Sequence, residues 1–116
     1  MNDIVRFETN QRMSRVVKAA GLVFVGGQTS NDRTLDVKGQ TQQVLAKIDG
    51  YLAQAGIDKT RLVSAQVWLA DIGRDFAGMN EIYAKYFTSD FPARSTIQVA
   101  ALPKGAIVEI EVIAHF

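Results

Sequence analysis

The sequence predicts an α+β domain in which two helices cover one face of a β-sheet, with elements in the order β-β-β-α-β-α-β-β. Three observations lead there. Two stretches repeat apolar residues at helical spacing. The other apolar segments are short and rich in β-branched residues, either continuous or alternating. A chain of 116 residues has room for one core, so residues 1–116 are expected to form a single domain.

Ile4 to Phe7 is expected to be a short first strand. "SRVVKAAGLVFVGG" then reads as a hairpin with Ala20-Gly21 at its turn, and its second arm, Leu22 to Val25, is continuously apolar, as in a strand covered on both faces. The polar loop "QTSNDRTLD" follows. Val37, Val44, Leu45, Ile48, Tyr51, Leu52 and Ala55 recur at helical spacing, and Gly56 supplies a C-terminal stop. Leu62 to Leu69 is the next strand, with Val63, Ala65, Val67 and Leu69 on one face. A second helix is expected from about Arg74 to Phe87. Asp71 or Gly73 lies near its start, and Phe76, Met79, Tyr83 and Phe87 form its stripe. Two last strands, Arg94 to Val99 and Ile107 to Ala114, are joined through Leu102-Pro103-Lys104-Gly105, which has turn chemistry.

Composition narrows the function classes. Hydrophobic residues make up 47% and charged residues 22%, and the net charge is +1. No basic run is present, which argues against nucleic acid as a partner. No apolar stretch approaches the roughly 20 residues that span a bilayer. The N-terminal stretch is polar and nothing in it marks export, so a cytoplasmic location is expected. The absence of Cys removes thiolate chemistry and Cys-zinc sites. The single His, His115, has no ligand cluster nearby in sequence and reads as structural or solvent-exposed.

The last two strands carry unexpected charge. Read as an antiparallel pair, they place Ile97 and Val99 with Val108, Ile110, Val112 and Ala114 on an apolar face suited to the helices. Arg94, Thr96 and Gln98 then share the other face with Glu109 and Glu111. The bland explanation is a solvated face with weak cross-strand ion pairs. The functional one is a small-molecule site, with an Arg gripping a carboxylate and a Glu orienting or deprotonating water. Asn80 lies within the apolar stripe of the second helix, either as a satisfied amide or as a group bordering that site. Two helices cover one sheet face only, and strand 22–25 is apolar on both sides. The remaining face is therefore expected to meet another subunit.

"FPARSTIQVAALPKGAIVEIEVIA" closely resembles the signature of the RidA family, also called YjgF/YER057c/UK114. "GGQTS", "AGIDKTRLVSAQVWLADI" and "DFAGMNEIYAKYF" extend the resemblance over nearly the whole chain. It implies a chorismate-mutase-like fold, a homotrimer with clefts between subunits, and a cofactor-independent imine/enamine deaminase. Such enzymes hydrolyse reactive intermediates such as 2-aminoacrylate to a 2-keto acid and ammonia. Carried over, Arg94 matches the residue that holds the substrate carboxylate and Glu109 the residue that positions water. Asn80 matches an Asn bordering the cleft. Gly27, followed by Gln28, matches a Gly lining the pocket. Three positions depart from the best-known members: Thr96 stands where they have Cys, Gly26 where Ser is common, and Met13 where they have Tyr. The chain thus resembles a divergent branch that retains the Arg. The alternative of a different class is a trimeric protein that binds or senses a keto acid without catalysis. A third, RNA cleavage, is disfavoured by the near-neutral charge.

Overall fold

The computed structural model describes residues 3–116, so the first two residues of the expected domain lie outside the described residues. The elements are β1 (Val5–Thr9), β2 (Ser14–Ala19), β3 (Leu22–Gln28), α1 (Val37–Gln54), a 3₁₀ turn (Lys59–Arg61), β4 (Leu62–Leu69), α2 (Ile72–Tyr86), β5 (Ala93–Gln98) and β6 (Val108–His115). The order is the one the sequence predicts.

Local chemistry explains the boundaries. The β2–β3 turn holds Ala20 at φ 53° and Gly21 at φ 79°, the two left-handed residues that a tight hairpin turn requires. Asp36 caps α1 by accepting from the Gly39 N–H at 2.9 Å, and Asp71 caps α2 by accepting from the Arg74 N–H at 3.1 Å. Gly56, at φ 83°, ends α1.

The strands form one six-stranded sheet in the order β1-β2-β3-β6-β4-β5. Both helices lie on the same face, α1 over β3 and β6 and α2 over β4. The core between the layers runs in cross-strand rows. One row is Val16, Val25, Val112 and Ala65; the next includes Ile110 and Val67, all essentially excluded from solvent. From α1 come Val44, Leu45, Ile48 and Leu52, and from α2 Met79, Ile82 and Tyr83. The opposite face carries Val17, Phe24, Ile113, Trp68 and Ile97, interrupted by Gln66, Glu109 and Glu111. Phe24 and Ile97 are 40% and 48% exposed there.

Three expectations are corrected. The last two strands are not a hairpin: β5 runs parallel to β4 at the sheet edge, and β6 lies antiparallel between β3 and β4. The crossover through α2 returns the chain to the end where β4 began, which makes β5 parallel to β4. Residues 99–107 then carry the chain across to the sheet centre. Second, β5 presents the opposite faces from those expected. Ala65 pairs with Arg94, Val67 with Thr96 and Leu69 with Gln98, so these three polar residues face the helices while Ile97 faces away. Third, Val63 does not join the core. A register shift between Leu62 and Ser64 turns it outward, 49% exposed, and Leu62 is buried in its place.

Candidate active site

Met13 apart, the residues singled out from the sequence fall into two clusters on opposite faces of the sheet. The first lies at the β5 edge under α2. Arg94 ends the core row Val16-Val25-Val112-Ala65, so its stem extends apolar packing while its head reaches the helix. Nη1 donates to Asn80 Oδ1 at 2.8 Å. Its guanidinium carbon lies 4.6 Å from the centroid of the Tyr83 ring and 5.9 Å from that of Phe76. A cation over a partly desolvated ring is worth about 0.5–2 kcal/mol. Asn80 is thus the amide partner of the arginine. The next residue on this face, Thr96, has a buried hydroxyl without a hydrogen-bond partner among the described residues. Gln98 accepts from the Ile72 N–H at 2.9 Å and helps seat the start of α2.

The second cluster sits on the other face, near the start of β6. Glu109 lies against Gly27. A β-carbon at Gly27 would fall 2.1 Å from Glu109 Oε2 and 3.0 Å from its carboxyl carbon, so the glycine makes room for the carboxylate. Gly26 and Gly27 occupy the register shift between Val25 and Gln28 on β3, a bulge that brings the backbone close to Glu109. At Gly26 the nearest atom to a β-carbon is the Arg15 carbonyl oxygen at 3.8 Å, so a larger residue fits there. Gln28 is fully buried and donates to the Gly26 carbonyl at 2.9 Å. Burial raises the Glu109 carboxyl above the ordinary carboxylate range, Glu111 adds to the rise, and Arg33 opposes it. Met13 is in the β1–β2 turn, 52% exposed. Asn10 closes this turn by accepting from the Met13 N–H at 3.0 Å.

Arg94 and Glu109 therefore do not meet within one protomer. They are two strands apart, about 10 Å laterally, and point to opposite faces. The sequence-based expectation that Arg94, Thr96 and Gln98 share a face with Glu109 and Glu111 rested on the hairpin that the structure replaces with a crossover.

Three supporting roles, those of Arg33, Gln40 and Tyr83, escaped the sequence reading, which had Tyr83 only as a stripe residue. Arg33 donates to the carbonyls of Ser30 and Lys104 and to Thr29 Oγ1. It ties the loop after β3 to residues 99–107 and sets a positive charge near Glu109. Gln40 is 1% exposed. It donates to the carbonyls of Arg33, Leu35 and Gly105 and accepts from the Ile107 N–H. Tyr83 carries the guanidinium on its ring. A Gln inside the polar start of a helix, and an aromatic residue three positions after Asn80, were the only signals for these roles. Among the described residues no group of three or more His, Asp or Glu side chains is arranged to hold a metal ion, and no helix is long and apolar enough to cross a membrane.

Comparison with known proteins agrees with this architecture. The family described as Endoribonuclease L-PSP matches residues 4–116. A 2-iminobutanoate/2-iminopropanoate deaminase of Capra hircus is 43% identical over 87% of this chain and 77% of its own length. A RutC family protein of Pyrococcus horikoshii is 40% identical over 88% of this chain and 85% of its own. The crystal structure of a member of the YjgF protein family from Neisseria meningitidis superposes with a TM-score of 0.92 at 34% identity, covering 97% of this chain and 94% of that one. The chain has the chorismate-mutase-like α+β fold of these proteins, and it belongs to the Endoribonuclease L-PSP family, the RidA/YjgF group that its closing strands resemble.

Proposed function

We propose that this protein is a cofactor-independent deaminase of reactive imines and enamines, 2-aminoacrylate among them, acting as a homotrimer in the cytoplasm with each active site shared by two subunits. The observation that carries the reading is the pair of half-sites. One subunit offers an arginine oriented by Asn80 and Tyr83 with no acidic partner among the described residues. The other face offers a carboxylate seated on Gly27. Only contact between the β5 edge of one subunit and the open face of another would join them. The apolar residues Phe24, Trp68 and Ile97 on that open face suit burial against a partner. The name of the Capra hircus relative supports the same chemistry.

In this reading Arg94 holds the substrate carboxylate through two parallel hydrogen bonds. An enamine first takes a proton from solvent on carbon to give the protonated imine. A water held by Glu109 adds to the imine carbon as its proton passes to Glu109, which forms a carbinolamine. That proton returns to the nitrogen, the C–N bond breaks as the carbinolamine hydroxyl gives its proton to the again-ionised Glu109, and ketone and ammonia leave. Imines hydrolyse unaided in water, so orientation and one proton transfer are enough.

The test is an amino-acid panel with an amino-acid oxidase or a dehydratase generating imines in situ, measuring imine loss with and without this protein. Saturable acceleration is expected. A second reading, a keto-acid binding protein without catalysis, draws on the separation of Arg94 from Glu109 within the protomer. Tight pyruvate binding with no acceleration for any imine would select it.

A further inference from the structure

Asn80 and Tyr83 are three residues apart on α2 and so lie on one face of the helix. They hold Arg94 from two directions: the amide oxygen of Asn80 takes Nη1 at 2.8 Å, and the Tyr83 ring lies 4.6 Å from the guanidinium carbon. Tyr83 is itself fixed. It is 8% exposed and its ring meets Phe87 with centroids 4.9 Å apart. Its hydroxyl has no hydrogen-bond partner among the described residues, so the ring face, not the hydroxyl, makes the contact that matters. A carboxylate partner in place of the ring would occupy the arginine fork; a ring face steadies the cation and leaves its N–H edge free.

We infer that Tyr83 is a positioning residue for substrate recognition: with Asn80 it fixes the Arg94 guanidinium so that the edge away from Asn80 is open to a two-point grip on a carboxylate. This rests on the carboxylate-binding reading of Arg94 above. An unsupported arginine side chain must be ordered by each ligand that binds, and prior ordering by ring and amide removes that cost.

The test compares wild type, Tyr83→Met, Tyr83→Phe and Arg94→Ala, with pyruvate as the probe. Tyr83→Met is expected to weaken pyruvate binding about tenfold, and Tyr83→Phe, which keeps the ring, to recover most of that loss. In the wild type, the Arg94 Nε–H proton, assigned through its loss in Arg94→Lys, is expected to be shifted upfield by the ring. Wild-type pyruvate affinity in a folded Tyr83→Met, with binding lost in Arg94→Ala, overturns the role of Tyr83 alone. Unchanged binding in Arg94→Ala overturns the carboxylate reading, and this inference with it. Should Tyr83→Met not fold, the wild-type Nε–H shift decides, and an unshifted resonance rejects the platform.

Discussion

The Arg94 cluster and the Glu109 cluster are built by opposite means. Arg94 stands on an edge strand, at the end of a core row, and is held by side chains of the helix above it. Glu109 stands on a central strand and is held by the absence of a side chain at Gly27. One is a charged group made rigid by partners; the other is a charged group seated by a void. The contrast teaches that, on the proposed function, the two half-sites can be damaged separately, the first through binding and the second through turnover, without disturbing the core they share.

Glu109→Gln keeps size and hydrogen bonding and removes the proposed base. Turnover is expected to fall about 10²–10⁴-fold, the usual range for losing a positioned proton acceptor, with pyruvate binding kept. Unchanged turnover would leave Glu109 a structural residue.

Gly27→Ala asks whether the void matters. The atom in the way is the far end of a flexible side chain, so Glu109 swings aside and the fold survives. Thermal stability is expected to change by no more than about 1 kcal/mol, while turnover drops about 10²-fold through misplacement of the carboxylate. A Gly27→Ala protein with full turnover would show that the seat is incidental.

Arg94→Ala is expected to weaken binding of a carboxylate ligand by about one to two decades, the equivalent of roughly 1.5–3 kcal/mol for a charged hydrogen bond, with the subunits still folded and assembled. Titration with pyruvate reads this directly, and wild-type affinity would detach Arg94 from the site.

The smallest effect concerns pH. Glu109 is raised above the ordinary carboxylate range first by burial and then by Glu111, with Arg33 opposing. If the ionised form is the working one, kcat/KM is present above that raised pKa and is lost as pH falls through it. Glu111→Gln removes the like charge and should move this acid limb to lower pH; Arg33→Gln should move it to higher pH. A limb that stays in place in both variants means another group sets it.

How much of this was legible in the sequence depends on the range of the interaction. Turn, cap and periodicity signals are local, and they gave every strand and α-helix in order, though not the 3₁₀ turn Lys59–Arg61, with Leu62–Leu69 matched end to end. The strand partners of β5 are not local. The segment "ARSTIQ" alternates equally well in either orientation, so its pattern alone did not say which face meets the helices. One cue pointed the right way: residues 99–107 exceed the about two to five residues of a hairpin loop, and a strand–helix–strand order favours a parallel crossover. Asn80 was legible because an amide in an apolar stripe needs a partner; that the partner is Arg94 required the register. Gly27 was singled out only through the family resemblance, since its close approach to Glu109 comes from a bulge with no sequence marker beyond two adjacent glycines.

The central claim is that Arg94 of one subunit works with Glu109 of another, and mixing tests it most directly. Arg94→Ala and Glu109→Gln proteins, each assayed at a substrate level where its own activity is small, are dissociated, combined and reassembled, with subunit exchange verified by native mass spectrometry. If the site is shared, random reassembly leaves about a quarter of the interfaces with both native residues, and deaminase activity should return to roughly that fraction of wild type. If each site lies within a single subunit, every site still carries a lesion. Fully exchanged assemblies that remain inactive would contradict the account.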